Sequence, residues 1–114
     1  MTDKDLITWQ DFEKVELLTA TIIDAEIFKD AKVPAFKLTL DLGNGRIKKS
    51  SAQLRALYQP DDLIGKQVIC VANFPAKQIG PMMSEVLVTG FYNDEGEVIL
   101  AVPDKPLHNG AKLG

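Results

Sequence analysis

Phe36-Lys37-Leu38-Thr39-Leu40-Asp41-Leu42-Gly43-Asn44-Gly45-Arg46-Ile47-Lys48-Lys49-Ser50 is the stretch that fixes the architecture. Phe36, Leu38, Leu40 and Leu42 alternate with Lys37, Thr39 and Asp41, the period of two of a strand with one buried face. Asn44-Gly45 is a strong signal for a tight hairpin. The returning strand carries three cations, Arg46, Lys48 and Lys49. A hairpin of this kind needs further strands to cover its apolar face.

Those strands lie on both sides of it. Upstream, Val15 to Ile27 reads as a long strand whose odd positions (Val15, Leu17, Ile23, Ala25, Ile27) are mainly apolar. Leu18, Ala20 and Ile22 make its opposite face apolar too, so part of it is expected to be covered on both sides. Lys29 to Pro34 is a polar connection. Earlier still, Thr8-Trp9-Gln10-Asp11 has the form of a capping box, predicting a helix of about two turns with Trp9 and Phe12 on one face. So short a helix must dock, on the chain's own barrel or on another subunit.

Downstream, Leu54, Leu57 and Tyr58 take helical spacing, with Ser51 placed to cap a helix and Pro60 to close it. Gln67 to Ala72 is a buried strand, and Val86 to Tyr92 another. After an Asn93-Asp94-Glu95-Gly96 turn comes the apolar run Val98 to Val102, then an irregular tail from Pro103 to Gly114. Strand, hairpin, strand, short helix and two more strands is the order of an OB-fold: an all-β, five-stranded barrel with its helix between the third and fourth strands. An N-terminal helical extension (1–14), the barrel (15–95) and a C-terminal strand and tail (96–114) follow.

Between the last two barrel strands runs Asn73-Phe74-Pro75-Ala76-Lys77-Gln78-Ile79-Gly80-Pro81-Met82-Met83-Ser84. Rigid strands anchor it, two prolines and a glycine restrict it, and Asn73, Lys77, Gln78 and Ser84 supply donors and acceptors, as a binding loop requires.

The 114 residues bound a single domain, 46% apolar and 25% charged. Met1-Thr2-Asp3-Lys4-Asp5 is too acidic to open a secretory signal, and no run reaches the roughly 18 apolar residues of a membrane helix, so a cytoplasmic protein without membrane insertion is expected. Net charge is -3, yet residues 28–77 hold nine basic residues against four acidic ones while both ends are negative. Such a split predicts a basic face on an acidic body, able to steer a polyanion. The lone Cys70 excludes an intrachain disulfide and reads as a core residue. His108 is the only histidine and lies in the tail. With no metal-ligand cluster, phosphate loop or nucleophile elbow, the sequence predicts a binding module without enzymatic activity, metal or cofactor.

Three patches carry a family resemblance: Ser50-Ser51-Ala52-Gln53-Leu54, Asn73-Phe74-Pro75 and Ser84-Glu85-Val86-Leu87-Val88-Thr89-Gly90. Over nearly its whole length the chain resembles stand-alone tRNA-binding domains, the OB-fold modules also found at the ends of some aminoacyl-tRNA synthetases and in endothelial monocyte-activating polypeptide II. Within that family it most resembles the CsaA-type proteins, described as dimeric, export-related chaperones. The resemblance implies a ligand loop from Asn73 through Lys77 to Ser84, and a serine motif at Ser50 and Ser51. Val86 and Leu87 depart from the glycine and methionine of the broader family, and Ala76 from a frequent proline.

Two functions are therefore expected. One is recognition of tRNA or other structured RNA, with Lys48, Lys49 and Lys77 as charge contacts and Ser50, Ser51, Gln53, Asn73 and Ser84 beside them. The other is capture of unfolded preproteins for export machinery, with Phe74, Ile79, Met82 and Met83 as an adaptable apolar lining. Trp9, Phe12, Val98, Ile99, Leu100 and Val102 lack an evident internal partner and are expected at a homodimer interface.

Overall fold

The alternating hairpin forms as read. In the computed structural model, which describes residues 5–114, the chain runs α1 (Trp9–Glu13), β1 (Leu17–Phe28), β2 (Ala35–Asp41), β3 (Ile47–Ala52), α2 (Pro60–Leu63), β4 (Gln67–Val71), β5 (Lys77–Ile79), β6 (Met82–Ser84), β7 (Leu87–Val88), β8 (Gly90–Tyr92) and β9 (Val98–Leu100). Residues 1–4, on which the expectation about a secretory signal and the start of the 1–14 extension rest, lie outside the described residues. A curled antiparallel sheet has the order β3-β2-β1-β4-β7, and β5-β6 and β8-β9 form two-stranded ribbons. The sheet closes where the Glu85 N–H donates to the Lys49 carbonyl at 2.8 Å and the Ser51 N–H to the Ser84 hydroxyl at 3.0 Å. This is the OB-fold expected from the element order. No helix among the described residues is long and apolar enough to cross a membrane.

Phe36, Leu38, Leu40 and Leu42 all point into the core, with Ile22, Leu54, Leu63, Val68 and Cys70. β1 departs from the expected pattern. Its pairing with β2 steps from Ile22–Leu40 to Asp24–Thr39, so Ile23 is the extra residue of a bulge. Leu18, Ala20 and Ile22 face inward before the bulge and Ala25 after it, while Ile23 and Ile27 are exposed. The two apolar faces read from the sequence are thus largely one inward face whose phase shifts by one residue.

The helix between the third and fourth strands is present but displaced. Ser51 and Ala52 finish β3 instead of capping a helix, Leu54 to Tyr58 makes one turn, and Pro60 opens α2 instead of ending it. A proline suits the first helical position, where its missing N–H would have no intrahelical partner. Leu54 is buried, and the Tyr58 hydroxyl accepts the Leu100 N–H at 3.1 Å.

The tail is irregular, as read, yet it is pinned to the barrel. β2 pairs with β1 only from Thr21 onward, leaving the backbone of Leu17 to Thr19 bare on that side. The tail fills the gap: the Thr19 N–H donates to the Ala111 carbonyl at 3.0 Å, the Gly110 N–H to the Thr19 carbonyl at 2.8 Å, and the Leu113 N–H to the Leu17 carbonyl at 2.9 Å. The Thr19 hydroxyl donates to the His108 carbonyl and accepts the Ala111 N–H, both at 2.9 Å, which accounts for a buried threonine among apolar neighbours. Cys70 sits in the core, and burial pushes its thiol up to about 11, so it stays protonated and unreactive near neutral pH.

Candidate nucleic-acid interface

The 73–84 segment is less a loop than a hinge followed by a ribbon. Lys77, Gln78 and Ile79 pair with Ser84, Met83 and Met82. The tip of the ribbon packs on the β1–β2 connection, where a Cβ added at Gly80 would meet the Asp30 carbonyl at 3.3 Å and the Phe28 ring at 3.6 Å. This contact fixes one wall of a groove against the barrel.

Asn73 has a role within the chain that its sequence position did not reveal. Its side-chain oxygen accepts the Glu16 N–H at 2.9 Å and its amide donates to the Lys14 carbonyl at 2.6 Å, tying the start of the ribbon segment to the end of α1. Both ends of the carboxamide are engaged within the chain, and the side chain stays exposed at the start of the ribbon segment. Asn73→Ala is expected to cost about 1 kcal/mol, seen as a lower urea midpoint, by removing two hydrogen bonds whose backbone partners then turn to water. An unchanged midpoint would show that the tie carries no stability.

Most of the remaining residues divide into two sites. Ser51, Gln53, Phe74, Lys77, Ile79 and Ser84 line one groove of about 570 Å³. Lys49, Met82 and Met83 line a separate hollow of about 560 Å³ that also exposes Asp24 and Glu26. The four residues expected to form one apolar lining therefore do not share a site, because Phe74 and Ile79 are in the groove and the methionines line the hollow. Ser50 is only 1% exposed, faces Leu38 across the β2–β3 pair, and its hydroxyl finds no partner among the described residues, so it is out of a ligand's reach. Ser84 is half-buried and its oxygen already accepts the Ser51 N–H.

Charge is distributed unevenly among the lysines. The Lys48 ammonium lies 3.7 Å from Glu85, whose other oxygen accepts the Lys49 N–H, and the Lys49 ammonium donates to the Thr39 hydroxyl at 2.6 Å. Lys77 and Lys32 belong to no ion pair among the described residues, and both line a 600 Å³ hollow that continues the groove to the β1–β2 connection. Lys32 was missed as a site residue. Its only signal in the sequence was membership of the net-positive section, since nothing local shows that the β1–β2 connection meets the β5–β6 ribbon.

The expected interface residues also divide. Trp9 is 62% exposed and packs on Phe12 at a tilt of 44° with ring centroids 5.5 Å apart, and Ile99 and Val102 are exposed. Leu100 is 6% exposed within the chain's own core and Val98 packs against that core, because the β9 strand folds back on its own barrel. Leu100 is corrected to a core position, while Val98 is half-buried beside it.

A family model described as "Putative tRNA binding domain" matches residues 17–112. The chaperone CsaA of Bacillus anthracis superposes with a TM-score of 0.90 at 42% identity, covering 96% of this chain and 100% of that one. The CsaA chaperone of Picrophilus torridus gives 0.89 at 41%, over 96% of this chain and 100% of that one. A methionine–tRNA ligase of Halalkalibacterium halodurans is 41% identical over 110 residues, 96% of this chain but 16% of the ligase.

Proposed function

Because the chain belongs to the tRNA-binding domain family, we propose that it is a non-enzymatic module that binds tRNA or other structured RNA in the groove between the β1–β2 connection, the end of β3 and the β5–β6 ribbon. The observation that carries this reading is that Lys32 and Lys77, both free of ion pairs among the described residues, line one hollow with Ser51 and Gln53. The two ammonium groups meet phosphates, while Ser51 and Gln53 offer hydrogen bonds to sugar and base edges. Lys48 and Lys49 add charge on the flank, since an exposed pair such as Lys48–Glu85 holds its lysine weakly. The reading extends to RNA contact in the cytoplasm and leaves the ligation chemistry of the synthetases aside. A tRNA titration across a salt series tests it: affinity falls with a log-log slope of about -0.7 to -0.9 per phosphate contact. Binding that is absent or insensitive to salt would sink it.

A second reading is capture of an unfolded preprotein segment for export; the two CsaA chaperones support its chaperone part, and Phe74, Pro75, Ile79 and Leu87 supply apolar surface in the same groove. On this reading Phe74→Ser weakens binding of an unfolded polypeptide roughly tenfold or more, by removing a large apolar contact. Unchanged polypeptide binding would rule it out.

We further propose that the working unit is a homodimer joined through Trp9, Phe12, Ile99 and Val102, which sets two grooves on one particle and allows bivalent grip. Light scattering is expected to give about twice 12.5 kDa. A stable monomer at micromolar concentration would reject the assembly.

A further inference from the structure

The groove does not stop at its basic end. A third hollow of about 390 Å³ carries it along β3 to the β8–β9 ribbon, bounded by Ser51, Gln53, Leu87, Val98 and Tyr92. Ser51 and Gln53 line all three hollows, so these form one trough from Lys32 to Tyr92.

Tyr92 closes that trough with an open ring. The β8–β9 register pairs Gly90 with Leu100, Phe91 with Ile99 and Tyr92 with Val98. Alternation puts Tyr92 on the face of Leu100 and Val98, toward the barrel and the trough, and Phe91 with Ile99 on the outer face. Tyr92 is 79% exposed and is not packed on the core, unlike Tyr58, whose ring and hydroxyl both serve the fold.

We propose that Tyr92 is a stacking platform for a nucleobase, and that the trough holds a single-stranded segment of RNA with its phosphates toward Lys32 and Lys77. The inference rests on the RNA reading above and names the form of RNA that the site takes. Asp30 and Glu85 also border the trough, but Glu85 is engaged by Lys48 and by the Lys49 N–H, so Asp30 alone opposes the two lysines. A base presents a flat π-face that stacks on an exposed ring without enclosure, whereas an apolar side chain of a peptide needs a walled pocket to leave water. One platform gives little sequence readout, which suits a site whose other contacts are to phosphate and sugar.

The test uses the full chain, a fluorescently labelled single-stranded RNA of about eight nucleotides and a blunt RNA hairpin of similar charge. Tyr92→Ala is expected to weaken single-strand binding roughly 5- to 150-fold, the worth of one stacked base, with hairpin binding unchanged and Tyr92→Phe close to the parent. Loss on both RNAs alike, loss on neither, or hairpin binding without any single-strand binding by the parent would overturn the proposal while leaving RNA binding in place. If the parent binds neither these RNAs nor tRNA, the RNA reading falls with it. A drop in mass by light scattering in Tyr92→Ala would assign the ring to a contact between copies, and an effect on unfolded polypeptide alone would assign it to peptide capture. Either result overturns the proposal.

Discussion

Gly110→Ala is expected to lower the melting temperature by roughly 10 °C or more. Gly110 has φ +83, and a Cβ built on it would lie 2.5 Å from the Leu42 carbonyl oxygen. The contact is reciprocal: a Cβ on Gly43 would lie 2.7 Å from the Asn109 carbonyl oxygen. Tail and β2–β3 turn thus meet backbone to backbone, and neither can yield as the end of a flexible side chain could. A left-handed conformation costs an alanine about 1–2 kcal/mol and overpacking about 1–3 more, so the total is about 2–5 kcal/mol. The loss reaches the barrel because the hydrogen bonds that cover Leu17 to Thr19 come from the residues beside Gly110. Gly96→Ala is the control. Its φ is +76 but nothing lies within 4 Å of an added Cβ, so only the conformational cost applies. Equal melting temperatures for the two variants would show that the tail does not brace the barrel.

The double variant Lys32→Glu, Lys77→Glu is expected to weaken tRNA binding roughly 10- to 100-fold near 0.1 M salt and to flatten the log-log salt slope by about 1.4–1.8, the share of two phosphate contacts. The two lysines lie 45 residues apart in sequence yet line one hollow, and reversing both turns attraction for phosphate into repulsion. Lys105→Glu, in the tail beside Asp104, should leave both affinity and slope unchanged. A loss no greater than that of Lys105→Glu, or a slope that does not move, would remove Lys32 and Lys77 from the interface.

The cavities explain why part of the site was legible in the sequence and part was not. Ser51, Gln53, Lys77 and Ser84 stand in recognisable patches and do share a groove. Ser50 stands in the same patch but alternates to the other face of β3, so proximity in sequence placed it wrongly. Asn73 reads as a ligand contact, and its partners within the chain, Lys14 and Glu16, lie 59 and 57 residues away. Lys32 and Tyr92 carry no local pattern at all.

Alternation at 36–42, the Asn44-Gly45 turn and the capping box at Thr8 and Asp11 depend on neighbours within a few residues, and the sequence alone determined the hairpin, the first helix and through their order the OB-fold. Closure of the barrel, the bulge at Ile23, the shift of α2 to Pro60 and the pinned tail belong to the tertiary structure, because each answers a demand set by a distant strand. A backbone group left bare by β2 at Thr19 must be satisfied once buried, and only the folded chain brings Ala111 and Gly110 to do it.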